Sequence, residues 1–226
     1  MSPSLSPPAR RDRPRAYVAG PAAAKTGWGR AREWAATQTG RLGWASIGIL
    51  LPEPVAPDQS RHLRLASIRG ATVGFAGDPG GLHRWVGALI VDRPTVASLM
   101  AAEAIPTATS IVVVDPDIEV LTPWVDAFDP TPLGATVLSP AEVVLPVPEV
   151  RRVMVYFTHR LQRRAAPSPR LWQMLLRRLE HLYHHGGHFS AESLLALTWQ
   201  LQWPPDAVGQ LHRWATAHLP SDGPRP

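Results

Sequence analysis

Residues 16–27 read Ala-Tyr-Val-Ala-Gly-Pro-Ala-Ala-Ala-Lys-Thr-Gly, a short apolar run followed by a turn and a helix-like segment. Lys25 is the only lysine among the 23 lysines and arginines of the chain. A nucleotide-binding P-loop keeps its lysine at this place, in the pattern Gly-x4-Gly-Lys-[Ser/Thr], because glycines let backbone N–H groups surround the phosphates. Here Lys25 and Thr26 are kept, whereas Ala19 and Ala24 replace both glycines. The stretch predicts a degenerate phosphate site.

Apolar runs alternate with helix-like stretches through the first two thirds of the chain. This alternation predicts an α/β fold, with a Rossmann-like, mostly parallel sheet. Two of the runs end in aspartate, at Asp92 and Asp115. The ligand crevice of an open parallel sheet lies outside the carboxyl ends of its strands, so we expect both aspartates on the same rim as Lys25. The expected strands are 16–19, 45–51, 71–76, 85–91, 110–114 and 135–138, with the first helix at 29–39.

After Pro148 the pattern predicts a C-terminal all-helical region. The expected helices are 149–164, 169–185, 191–202 and 205–218, separated by proline and glycine breaks. The predicted organisation is a disordered basic tail at 1–15, a Rossmann-like P-loop-related domain at 16–147, a helical arginine-rich region at 148–219 and a disordered tail at 220–226.

The chain has no cysteine, which excludes disulfides, thiolate zinc sites and cysteine nucleophiles, and fits a cytoplasmic protein. No apolar run reaches the roughly 18–20 residues that span a bilayer, so we expect no membrane span. Residues 1–15 lack the hydrophobic core of a signal peptide.

Charge is distributed unevenly along the chain. Residues 46–150 are rich in acids, whereas residues 151–190 carry a single acid, Glu180, among many arginines. The asymmetry favours a polyanionic partner such as DNA, RNA or a membrane surface. Alternatively, the basic helices dock on the acidic body of their own chain. The predicted nucleic-acid-binding residues are Arg151, Arg152, Arg160, Arg163, Arg164, Arg170, Arg177 and Arg178.

The strand-loop-helix order around Lys25 resembles the start of the ParA/MinD-type P-loop partition ATPases. Residues 85–94, Trp-Val-Gly-Ala-Leu-Ile-Val-Asp-Arg-Pro, are similar to the family's buried strand that ends in Asp-x-Pro beside the nucleotide's Mg²⁺. The resemblance covers roughly residues 16–140. It implies ATP with Mg²⁺ held by Gly20, Lys25, Thr26 and Asp92, a homodimer, and a role in plasmid partition, replication or mobile-element maintenance.

The chain also departs from that family. The family's loop carries an additional lysine used across its dimer, and this chain has no second lysine. We therefore expect nucleotide binding with weak or no ATPase activity, coupled to binding of DNA or of a protein partner.

Two other interpretations remain open. The opening Tyr17-Val-Ala-Gly-Pro21 also resembles nucleoside deoxyribosyltransferase-like proteins, which implies an enzyme with Glu103 as its nucleophile. However, the expected Gly-Thr-x-x-Glu context is missing, since residues 94–98 read Pro-Thr-Val-Ala-Ser. The other interpretation is a non-catalytic adaptor whose helices bind protein.

Three further patterns are weaker. Residues 190–214 have the length of a helix-turn-helix and a break between two short helices, with Ser190 as a cap. Asp115, Asp117 and Glu119 could supply oxygen ligands to a divalent cation or form an ordinary solvated turn. The last pattern is a histidine cluster near a helix end, which suits either a metal ion or the helix macrodipole; its members are His181, His184, His185 and His188.

Overall fold

Six strands form one sheet in which every neighbouring pair is parallel. The computed structural model describes residues 12–20, 23–40, 43–54, 61–114, 116–134, 136–137, 148–161 and 168–219. The strands are β1 (Arg15–Val18), β2 (Ile47–Leu51), β3 (Thr72–Phe75), β4 (Gly87–Asp92), β5 (Ala108–Val114) and β6 (Thr131–Pro132), in the spatial order β3-β2-β4-β5-β1-β6. The predicted parallel α/β fold is confirmed.

The central strands are almost continuously apolar. Every residue of β2 and β4 is buried, as are all residues of β5 except Thr109. Such runs are typical of parallel strands with both faces covered, because the crossover helices pack on the sheet. The helices along this part of the chain are α1 (Trp28–Thr39), α2 (Arg61–Ile68), α3 (Val96–Ala104) and α4 (Ile118–Phe128).

The first helix and the sheet share one hydrophobic cluster. Ala31 of α1 and Ala66 of α2 belong to it together with Ile90 and Val114 of the sheet. Since strand residues alternate between faces, Ala16, Ile90 and Val114 all lie on the α1 side. The helix ends at Gly40, whose φ of 62° is the left-handed conformation that glycine adopts readily.

The structure differs from the sequence prediction at one strand and adds two helices in this part of the chain. Residues 136 and 137 of the strand predicted at 135–138 are not in a strand, and residues 135 and 138 lie outside the described residues. The edge strand is β6 at Thr131–Pro132, and the N–H of the next residue, Leu133, donates to Tyr17 O at 2.9 Å. Pro132 is tolerated because β6 is an edge strand. Helices α2 and α4 were missed; α2 is only eight residues long, and Pro123 inside α4 resembles a helix break in sequence.

The C-terminal helices lie close to their predicted bounds. They are α5 (Pro148–Leu161), α6 (Pro169–His184), α7 (Ala191–Gln200) and α8 (Pro205–His218). The indole N–H of the buried Trp203 donates to Thr158 Oγ1 at 2.7 Å, and that hydroxyl donates to Met154 O at 2.8 Å. This short relay connects α5 to the residues that precede α8.

The chain divides into two compact units. One consists of Met1–Leu121 with Asp129–Ser139 and contains the sheet; the other consists of Thr122–Phe128 with Pro140–Pro226 and is helical. Among the described residues, no helix combines the length and the apolar character needed to cross a membrane.

Candidate functional site

The turn after β1 lies at the carboxyl edge of the sheet, as predicted. Gly20 has a φ of 81°, and its carbonyl accepts a hydrogen bond from Ala23 N at 2.9 Å. A Cβ added at Gly20 would collide with the hydroxyl of Thr136. The turn therefore needs a residue without a side chain, for both its conformation and its space.

Lys25 and Thr26 lie in a π-helical turn, Ala23–Gly27, that continues directly into α1. Such turns are rare and often occur at functional sites. The side chain of Thr26 is exposed. The backbone thus places Lys25 and Thr26 at the beginning of the helix that follows the first strand, as a P-loop does.

Asp92 reaches the same edge and the same face as this helix start. A Cβ on Gly27 would lie 3.1 Å from Val114 Cγ1, so α1 approaches β5 closely there. Asp92 pairs in register with Val114 on the neighbouring strand. It also shares the α1 face with Ile90, two residues earlier. The structure therefore brings Asp92 about one strand spacing, roughly 5 Å, from the residue that Gly27 contacts.

Asp92 is 6% exposed, and its Oδ2 lies 3.7 Å from Arg93 Nε. Arg93 has a φ of 42° and donates its N–H to Val114 O at 2.8 Å. Asp117 and Glu119 are exposed, and Asp117 Oδ1 accepts a hydrogen bond from Glu119 N at 3.0 Å; Asp115 lies outside the described residues. The described residues contain no cluster of three or more His, Asp or Glu side chains suited to a metal ion.

Glu103 lies at the opposite edge of the sheet. It stands near the end of α3, and its carboxylate is bonded to Arg15, the first residue of β1. Gly20 follows the other end of that strand. The structure does not bring Glu103 to Gly20, which a nucleophile serving the turn after β1 would require; Pro21 lies outside the described residues.

The predicted arginines occupy the exposed faces of α5 and α6. Arg163 and Arg164 lie outside the described residues, and the other six are exposed. Three of these six, Arg152, Arg177 and Arg178, line one groove between the two helices. Arg152 Nη2 also donates to Glu149 Oε1 at 2.9 Å.

This α5–α6 groove has an apolar floor. Its volume is about 570 Å³, and beside the arginines and His181 it is lined by Val153, Tyr156, Phe157 and Met174. Tyr156 and Met174 are each 48% exposed. The guanidinium carbon of Arg160 lies 4.3 Å from the centre of the Tyr156 ring, a cation–π contact.

Two of the clustered histidines contact each other. The rings of His181 and His185 are 4.0 Å apart, and His185 Nδ1 lies 2.7 Å from His181 O. The helix α6 ends at His184, and Gly186 has the left-handed φ of 88° expected of a helix stop. The arrangement is that of histidines at a helix C-terminus.

The helix-turn-helix candidate corresponds to α7 and α8. Ser190 caps α7 through a reciprocal pair of bonds with Ser193, which confirms the predicted cap. All residues from Ser193 to Trp199 are buried. On α8, Arg213 is exposed; burial lowers the pKa of His212 from its usual 6.5, an effect that Glu192 opposes and Arg213 reinforces. Of the residues that the sequence offers to bases on α8, Gln210 and His212 are thus half-buried and Arg213 is exposed.

Sequence reasoning missed three contributors to these sites. Thr136 fills the space beside Gly20, Gly27 permits the close approach of α1 to β5, and Met174 forms part of the groove. Gly27 alone had a local signal, since a glycine at the start of a helix after a strand often serves close packing. Comparisons of the chain with protein-family models, curated proteins and solved structures give no match.

Proposed function

We propose that the protein binds nucleic acid through the exposed arginines that line the groove between α5 and α6. The observation that carries this proposal is the convergence of Arg152, Arg177 and Arg178, from two helices, on one groove. Arginine suits phosphate because its planar guanidinium can donate two parallel hydrogen bonds. The role would be in partition, replication or mobile-element maintenance.

The local charge supports this proposal. On α5 and α6 the acids are Glu149 and Glu180, against six described arginines. Glu149 pairs with Arg152 in an exposed contact, where such pairs are worth only about 0–1 kcal/mol, so phosphate can replace it at low cost. Each phosphate neutralised releases bound counterions, which favours association at low salt.

The test is binding of a fluorescently labelled oligonucleotide at a series of salt concentrations. Changing Arg177 and Arg178 together to glutamine should weaken binding and reduce the salt slope by about 1 to 2. The matched control changes Arg151 and Arg170, exposed arginines of the same two helices that lie outside the groove. No binding at low salt, or equal losses in both double variants, would refute the proposal.

A second candidate is nucleotide binding at the carboxyl edge of the sheet, with ATP and Mg²⁺ as the ligand. The observation that favours it is the position of Asp92, which lies at the same edge and on the same face of the sheet as the start of α1. We propose a degenerate P-loop related to the ParA/MinD-type ATPases, with hydrolysis weak or lost. Gly20 would shape the turn, Lys25 and Thr26 would contact phosphate and Mg²⁺, and Asp92 would support the metal through water.

Thermal unfolding with and without ATP and Mg²⁺ tests this candidate. Ligand at a hundredfold excess over its dissociation constant should stabilise the native state by about 2.7 kcal/mol, which is a shift of a few degrees. Lys25→Ala should abolish the shift, whereas Arg32→Ala, at an exposed position on α1, should keep it. A wild-type protein that shows no shift with ATP would eliminate the candidate.

A further inference from the structure

We infer that the α5–α6 groove holds an unpaired base, so that the nucleic acid bound is single-stranded. This inference rests on the proposed function and specifies its ligand. A single strand offers both parts of the chemistry that the groove presents: phosphates for the arginines and flat, largely apolar bases for the floor.

The apolar floor of the groove favours a base as the ligand. Contacts with phosphate alone need only a charged surface, yet here the arginines line the same groove as Tyr156, Met174 and Val153. A ligand that covers the exposed parts of Tyr156 and Met174 removes apolar surface from water, which favours binding. A volume of about 570 Å³ is within the usual range for small-molecule pockets, and it is large enough for a nucleoside.

The contacts of the Tyr156 ring also favour a base. Arg160 lies over its ring at 4.3 Å, and the ring of Phe157 meets it edge-on at 5.2 Å and 82°. These contacts hold an exposed ring in one orientation. Bases stack on aromatic rings and on arginine guanidinium planes, so the Tyr156–Arg160 pair offers a prepared stacking surface.

The groove suits a protein partner or a duplex less well than a single strand. A peptide helix docks through anchors that recur over several turns, and a standard interface covers about 800 Å² on each partner. Among the groove's lining residues, Tyr156 and Met174 are the large apolar side chains that are exposed, which is too little for that area. The bases of a duplex are stacked inside it and cannot enter a groove without being flipped out.

The experiment measures binding of three labelled ligands of equal length, about 12 nucleotides, to the full chain. They are an unstructured single strand, the corresponding duplex, and a single strand without bases that keeps only sugar and phosphate. The single strand should bind about tenfold more tightly than either of the others, since one stacked base is worth about that factor.

Variants then separate the base from the phosphate. Tyr156→Ala should weaken single-strand binding about tenfold and leave the other two ligands unchanged. Tyr156→Phe keeps the ring and should keep the wild-type affinity. The double change of Arg177 and Arg178 to glutamine should weaken all three ligands. Because Tyr156 is half-exposed, its variants should fold, and their melting temperatures verify this.

The outcomes are distinct. If the arginine variant weakens every ligand while Tyr156→Ala changes none, the stacking inference is wrong and the proposed function stands. If no ligand binds, both fail. If an acidic amphipathic peptide binds in a Tyr156-dependent way and the single strand does not, the groove is a peptide site and the inference is overturned.

Discussion

The guanidinium of Arg15 donates two hydrogen bonds to the carboxylate of Glu103, from Nε to Oε1 and from Nη2 to Oε2, each 2.9 Å long. Both side chains are buried, with 4% and 1% of their surfaces exposed. Glu103→Gln would leave Arg15 inside the protein without its counter-charge, so we expect a loss of about 3–5 kcal/mol in the free energy of unfolding. Urea denaturation measures this loss.

The control for that measurement is Glu149→Gln, which breaks the exposed pair with Arg152. Exposed pairs contribute about 0–1 kcal/mol, so this variant should unfold close to the wild-type midpoint. Equal losses in the two variants would contradict the structural role assigned to Glu103.

Gly20→Ala should destabilise the first unit. The left-handed conformation costs a residue with a Cβ about 1–2 kcal/mol, and at this position the Cβ would also clash with the side chain of Thr136. Gly29→Ala is the matched control, because no atom lies within 4 Å of a Cβ placed there. Within α1 that change should stabilise, by up to about 1 kcal/mol. Chemical denaturation of both variants should therefore give shifts of opposite sign.

Thr158→Val should destabilise the second unit by about 1–3 kcal/mol, because the buried indole N–H of Trp203 loses its acceptor. Thr216→Val, at an exposed site on α8, removes a hydroxyl of the same kind and should change stability by less than about 0.5 kcal/mol. Thermal unfolding distinguishes them. A Thr158 variant as stable as the Thr216 variant would show that the relay contributes nothing.

Asp126→Asn should stabilise the protein at neutral pH. Both carboxylate oxygens of Asp126 are buried, and neither accepts a hydrogen bond from the described residues. Burial raises the pKa of Asp126 above its usual 3.8. The folded chain thus binds this proton more tightly than the unfolded chain, and stability is lost as pH rises through the folded pKa.

The gain in melting temperature of Asp126→Asn over wild type should shrink below pH 3.8, where the wild-type carboxyl is protonated in both states. A lower melting temperature than wild type at neutral pH would contradict this.

Most strands and the later helices could be predicted because their signals are local. Ile90 and Val91 belong to an apolar run that ends in Asp92, and Ser190 was predicted as the cap of the helix that follows it. These patterns depend on residues a few positions apart. The shared rim of Asp92 and the Gly20 turn followed from the parallel sheet alone.

What could not be predicted depends on pairing over long distances. No local pattern places β1 between β5 and β6, or identifies Thr131–Pro132 as its partner. The α5–α6 groove also depends on contacts between residues that are distant in the sequence. Val153, Tyr156 and Phe157 have the spacing of an apolar helix face, and only the folded structure shows that Tyr156 stays half-exposed and lines the same groove as Met174.

The position of β1 in the sheet has a consequence for synthesis on the ribosome. Arg15 pairs with Ile111, 96 positions later, and Tyr17 pairs with Pro132. At about 5–20 residues per second, the first strand waits roughly 5 to 20 seconds for its first neighbour to be made. Such distant pairings also slow folding, because the chain loses the entropy of a long loop before the strand contacts stabilise it. Of the six strands, β1 is therefore synthesised first, yet it gains both of its neighbours only after β5 and β6 have been made.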